Sequence, residues 1–186
     1  MDIYKDNASK AIKGAMARAS GEAFERMVMN AMAFYEDRGV AVIDKTPEAF
    51  KVLRPADRSK GQFICCFTKK AQPDFKGILS DATMVLFDAK HTDKGQIRRD
   101  VVTDEQEACF ERYMKMGAMC FLVVSLGFEK YYRVPWVVFR DMKQIYGRKY
   151  MAEKDLSPYR VDYSDGVLKF LEGVPLREVK DAGTEK

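Results

Sequence analysis

Gln72-Pro73-Asp74-Phe75-Lys76-Gly77-Ile78-Leu79, followed by Thr83-Met84-Val85-Leu86-Phe87-Asp88-Ala89-Lys90, is the stretch that decides the fold of this 186-residue chain. Residues 75–79 and 83–89 read as two strands joined by a turn at Ser80-Asp81. Fourteen residues separate Asp74 from Asp88, which lets a hairpin bring both acids to the same end of a sheet. Asp88 and Lys90 stand at i and i+2, so on a strand they point to one side. Two carboxylates beside one ammonium can hold Mg²⁺ against a phosphate and steady the charge that develops when it is attacked. That is the arrangement a metal-dependent nuclease needs.

Each residue also has a plainer reading. An aspartate after proline is most often a turn residue, and Lys90 could simply be the ion-pair partner of Asp88. Asp88 is the more telling acid, because it ends the apolar run 84–87, where a free carboxylate is costly unless paired or bound to a cation. The pattern D-x(n)-(D/E)-x-K is short and recurs by chance.

Outward from this hairpin, the chain reads as a mixed α/β domain. Phe24, Met27, Val28, Ala31, Met32 and Tyr35 fall at helical spacing and predict a long first helix from about residue 9 to Arg38, closed by Gly39. Residues 40–43 predict a short strand. Residues 44–61, with Pro47, Pro55 and many charges, predict a loop or projecting excursion, and 62–68 a further strand. Residues 91–102 are polar and aperiodic and predict a loop. Thr103-Asp104-Glu105-Gln106 matches a capping box that opens a second helix, ended by Gly117. The apolar run 118–126 predicts a central strand buried on both faces. Strand 130–134 follows, then a short helix begun by Pro135, then a hairpin around Ser164-Asp165-Gly166 within 159–171. The order predicts a meander followed by a crossover helix, in one domain of residues 1–186 with flexible ends at 1–8 and 178–186.

Apolar residues make up 47% of the chain, enough for a real core, which excludes a disordered protein. A net charge of +4 is compatible with nucleic acid but does not argue for it alone. The local distribution says more. Lys5, Lys10, Lys13 and Arg18 form a basic N-terminal arm, and Lys69, Lys70, Lys76, Lys90, Lys94, Arg98 and Arg99 surround the acidic pair. Such clusters serve either as solvated surface or as phosphate contacts. The four cysteines make no C-x-x-C and there is one histidine, which argues against structural zinc. The cysteines read as buried small hydrophobes of a reducing compartment. No signal-peptide pattern or membrane-length apolar run is present, so a cytoplasmic protein with no membrane partner is expected.

Several blocks occur together in an order that resembles the RecU-type Holliday-junction resolvases, within the PD-(D/E)xK nuclease superfamily. Gly21-Glu22-Ala23-Phe24-Glu25 is similar to that family's G-x-x-L-E on the first helix. Residues 40–47, Val-Ala-Val-Ile-Asp-Lys-Thr-Pro, resemble its AVIxKxP strand and turn. Residues 72–77 resemble T-x-D-(Y/F)-x-G, and Phe87-Asp88-Ala89-Lys90 resembles F-E-A-K. Gln106, the run 117–125, Tyr131-Tyr132 and Pro135-Trp136 follow in matching order, so the resemblance spans roughly two-thirds of the chain. Two positions depart from the family pattern: Asp88 replaces a glutamate, and Gln72 stands where a threonine is expected.

The resemblance implies a restriction-endonuclease-like mixed central sheet flanked by helices. It implies that Asp74 and Asp88 bind Mg²⁺, with Mn²⁺ able to substitute, and that Lys90 stabilises the transition state or orients the attacking water. It also implies that Gln106 completes the metal shell and that Glu25 supports the site from the first helix. Gln106 reads equally as the N3 member of its capping box, and Glu25 equally as a solvated helix residue. Residues 44–61 correspond to a stalk that enters the junction centre, where Lys45, Arg54, Arg58 and Lys60 would lie among phosphates. Lys76, Lys94, Arg98 and Arg99 are the other expected DNA contacts. His91, the neighbour of Lys90, faces the opposite way and reads as a phosphate contact or surface residue rather than a general base. The implied partners are a four-way DNA junction and a second copy of the chain, since a two-fold dimer presents two sites to a two-fold junction. The rival functions are a general nuclease of the same superfamily and a DNA-binding module that keeps the fold without the chemistry.

Overall fold

The computed structural model describes residues 3–47, 49–67 and 72–175. Lys69, Lys70 and the tail 178–186 fall outside these residues. Helix α1, Ile3–Asp37, begins earlier than the sequence reading expects. Gly39, at φ 64°, ends the helix, and the Val40 amide donates back to the Tyr35 carbonyl at 2.9 Å.

Next come β1 (Ala41–Lys45), β2 (Phe50–Asp57), β3 (Gln62–Phe67), β4 (Phe75–Leu79), β5 (Met84–Thr92) and β6 (Gln96–Arg98). A 3-10 turn, Arg99–Val101, leads into α2 (Asp104–Met114), which is followed by β7 (Met119–Leu126) and β8 (Lys130–Pro135). Two short helices, α3 (Trp136–Arg140) and α4 (Met142–Tyr146), precede β9 (Tyr150–Ala152) and α5 (Glu153–Leu156). The described chain then runs through β10 (Arg160–Val161), β11 (Tyr163–Ser164) and β12 (Val167–Leu168). The 163–168 hairpin turns at Asp165 and Gly166, both at positive φ, as an Asp-Gly turn between two strands requires.

The central sheet has the order β1-β4-β5-β7-β8-β10. Every neighbouring pair is antiparallel except β5 and β7, which run parallel. A parallel pair needs a crossover, and α2 supplies it. This mixed sheet between helices is the restriction-endonuclease-like arrangement that the sequence reading anticipates. On one face Phe75, Phe87 and Phe121 stack in a row across three strands, at 5.0 and 4.8 Å between ring centroids, under Phe24 and Val28 of α1. On the other face Leu86, Leu122 and Val124 pack with Phe110 of α2 and with Trp136 and Phe139 of α3. Burying a side chain of this size contributes about 1.5–3 kcal/mol, so the two layers fix the sheet firmly between its helices.

Three expectations change. Residues 62–67 form a strand, but it pairs only with β2 in a separate two-stranded ribbon, so the projecting element is the whole hairpin 50–67 rather than 44–61 alone. Cys65 and Cys66 therefore lie exposed on that ribbon, not in the core, while Cys109 and Cys120 are buried as expected. The stretch 91–102 is not wholly irregular, because β6 pairs with β9.

Candidate active site

Antiparallel register makes the site. Phe75 pairs with Phe87, so the next position outward sets Asp74 against Asp88. The Asp74 amide donates to Asp88 Oδ1 at 2.8 Å, and the Ala89 amide donates to Asp74 Oδ2 at 3.2 Å. On the other side the Thr46 amide, just past β1, donates to the Asp74 carbonyl at 2.8 Å. Along β5, Phe87 and Ala89 face α1, so Asp88 and Lys90 face the α2 layer. The β1–β4 contact is close: a Cβ on Gly77 would meet the Val42 carbonyl oxygen at 2.2 Å, so this position of the motif admits only glycine.

Asp88 is fully buried and accepts from three directions. Besides the Asp74 amide, Lys90 Nζ lies 2.6 Å from its Oδ2, and Gln106 Nε2 donates to the same oxygen at 2.8 Å. Burial and the neighbouring negative charge of Asp88 push the Asp74 carboxyl up to about 7, although Lys90 opposes this. Burial disfavours the Lys90 charge, but attraction to Asp88 and Asp74 outweighs it and the ammonium titrates above its ordinary value. Glu25 of α1 adds to that attraction and holds Lys45 Nζ at 2.6 Å, so it stands at the edge of the same site.

Gln106 caps α2 and reaches the acidic pair at once. Its Oε1 accepts the Thr103 amide at 3.2 Å, closing the capping box, while its Nε2 faces Asp88. Turning the amide over would set its oxygen against a carboxylate and its NH₂ against an amide N–H, so the orientation is fixed. In this arrangement the amide oxygen accepts from the helix cap while the NH₂ positions Asp88.

His91 also departs from expectation. Its ring is only 4% exposed. Nδ1 lies 3.1 Å from Ser125 Oγ, Nε2 lies 3.0 Å from Asp93 Oδ1, and the ring stacks on Phe128 at 4.1 Å. Both ring nitrogens have partners, so His91 ties the end of β5 to the β7–β8 turn and to the loop after β5. The other expected DNA contacts are dispersed. Arg54, Arg58 and Lys60 sit on the projecting ribbon and its tip. Lys76 is on β4 and Lys94 on the exposed loop after β5. Arg98 is paired with Asp100, and Arg99 with Glu107. One residue escapes the sequence reading: the Thr46 hydroxyl is buried beside Asp74 and has no hydrogen-bond partner among the described residues. The β1–β4 register is the signal that would have found it.

A mixed sheet that delivers two carboxylates and a lysine to one strand end defines a nuclease of the PD-(D/E)xK class. The sequence model of Recombination protein U (RecU) matches residues 19–174, and the chain belongs to this family of Holliday junction resolvases. No curated protein matches the sequence. Among solved structures it is similar to Hjc from Archaeoglobus fulgidus, a Holliday junction resolvase of an archaeal hyperthermophile, at 11% identity and a TM-score of 0.48. That similarity covers 75% of this chain and 93% of the other.

Proposed function

We propose that the chain resolves four-way DNA junctions by Mg²⁺-dependent hydrolysis of two phosphodiesters, one in each of two strands, as a homodimer. The observation that carries this reading is the unbalanced charge at the strand end. Two carboxylates are held together by backbone bonds, and burial, with the neighbouring charge of Asp88, pushes the Asp74 carboxyl up to about 7. A hard divalent cation removes that conflict, and two carboxylates with water and phosphate oxygens are what Mg²⁺ prefers. Among the described residues no third His, Cys, Asp or Glu joins them at ligating spacing. Asp74 and Asp88 would hold the ion, which supplies positive charge against the phosphate under attack.

The chain's own groups do the rest. Gln106 fixes the rotamer of Asp88 and ties it to the start of α2. Lys90, whose pKa is raised, stays charged at neutral pH. It is therefore suited to stabilising charge on the phosphate and not to abstracting a proton. Glu25 supports Lys90 and Lys45 from α1.

The ribbon 50–67 supports junction binding and the dimer together. Its pairs Phe50–Phe67, Val52–Cys65 and Pro55–Phe63 share one face, while Lys51–Cys66, Arg54–Ile64 and Asp57–Gln62 share the other. Register shifts at Leu53 and Ala56 keep the two sets apart. The first face is wholly apolar and uncovered in the single chain, with Phe50, Phe63 and Phe67 each more than half exposed. An isolated two-stranded hairpin is marginal in water. A second copy of the ribbon covers that face and turns Lys51 and Arg54 outward, toward phosphates.

The test compares Mg²⁺-dependent cleavage of a four-way junction, a linear duplex and a flapped DNA. Symmetric nicks confined to the junction are expected. Equal cutting of all three would replace this reading with that of a general nuclease.

A further inference from the structure

A second charged site lies on the far side of the first turn of α2. The 3-10 turn and the start of α2 form one wall of an open cleft of about 560 Å³, and α4 with the turn after it forms the other. Arg98, Arg99, Arg140, Lys143 and Lys149 line it, against Asp100, Asp104 and Glu107. The walls are held in place by backbone. Arg98 pairs with Tyr150 in the β6–β9 ladder, and the Arg99 amide donates to the Lys149 carbonyl at 3.0 Å. The arginines are already occupied. Arg98 is paired with Asp100, Arg140 with Glu111 and Asp141, and Arg99 with Glu107 while it lies 5.0 Å above the Trp136 ring. Lys143 and Lys149 differ: both are exposed, and among the described residues neither has an ion-pair partner.

Two ammonium groups without an ion-pair partner among the described residues, at the mouth of a net-positive cleft, make a seat for an anion with spread charge. Glu107, which holds Arg99, follows directly on Gln106, which holds Asp88, so the cleft and the acidic pair share one turn of helix. We infer that this cleft binds a backbone phosphate of the DNA next to the segment that enters the acidic site, with Lys143 and Lys149 as its principal contacts. The inference rests on the reading of the chain as a DNA nuclease. It adds α4 and the turn after it to the DNA surface, neither of which holds a residue expected there from the sequence.

The experiment measures binding of a four-way junction and of a linear duplex across a salt series in EDTA, then cleavage with Mg²⁺. The proteins are the intact chain, K143A/K149A and, at the opposite end of α2, K115A. Releasing one or two phosphate contacts should flatten the slope of log K against log salt by about 0.9 for each. The double variant should bind both DNAs roughly 10-fold more weakly near physiological salt, with an unchanged melting temperature. K115A should match the intact chain. Unchanged affinity and slope in K143A/K149A, or an equal loss in K115A, would overturn the cleft while leaving the nuclease reading intact. Normal slopes in the intact chain, a flattened slope in the double variant and no junction cleavage would keep the cleft and remove the resolvase reading. An intact chain that binds neither DNA would remove both.

Discussion

Gln106 divides its amide between a helix cap and a buried carboxylate, and substitution can separate the two tasks. Thr103→Ala removes the cap hydroxyl, which accepts the Gln106 amide at 3.3 Å, and leaves Asp88 held. It should lower stability by about 1 kcal/mol, the usual cost of losing a cap, with little change in kcat. Gln106→Ala should lower stability by a similar amount and kcat by roughly 10- to 100-fold, as loss of a positioning bond to a metal-binding carboxylate does. Equal kcat values in the two variants would show that the bond to Asp88 is ornamental. Asp88→Asn keeps the shape of the site but removes the charge. Cleavage should disappear while junction binding survives in a gel-shift titration; full activity would take Asp88 out of the mechanism. At this scale the sequence was legible where one residue has one job. Asp74, Asp88 and Lys90 meet because strand periodicity and hairpin register bring them together. Gln106 showed two competing patterns, and only three-dimensional distance reveals that they coexist. The burial of the His91 ring was not legible, because its neighbours Ser125 and Phe128 lie across a strand pair that no local pattern specifies.

The ribbon 50–67 shows why an element can be placed yet misjudged. Pro55 and its charges marked a projection, but strict alternation breaks at Leu53 and Ala56, so no single period reads through it. With the register known, the two faces sort cleanly. Phe63→Asp places a charge in the apolar face, while the partner Pro55 and the basic face are untouched. The variant should shift from dimer to monomer in sedimentation equilibrium and lose paired nicking more than single nicking. A variant that stays dimeric would place the two-fold interface elsewhere. Gly77 marks the opposite case, an element whose need was written in one letter. The β1–β4 approach leaves no room for a Cβ, so Gly77→Ala should cost about 3 kcal/mol and lower the melting temperature by several degrees.

For the whole molecule, the acidic pair ties stability to pH. In the metal-free fold Asp74 keeps its proton to about pH 7, whereas in the unfolded chain it releases it near its ordinary value of 3.8. Between these limits the folded state binds more protons, so stability falls as pH rises. The contribution is complete below the unfolded value and is lost as pH passes the folded one. Lys90 titrates far above this window and does not cancel the effect. A divalent cation competes with that proton, so its stabilisation should grow over the same window. Melting temperatures in EDTA should decline from pH 5 to pH 8, and the gap opened by millimolar Mg²⁺ should widen by about 5 °C, since 1 kcal/mol moves a chain of this size by about 2–4 °C. Asp74→Asn has no proton to lose and should show a small gap that does not vary with pH. A gap in the intact chain that stays constant from pH 5 to pH 8 would mean that Mg²⁺ is held somewhere other than between Asp74 and Asp88.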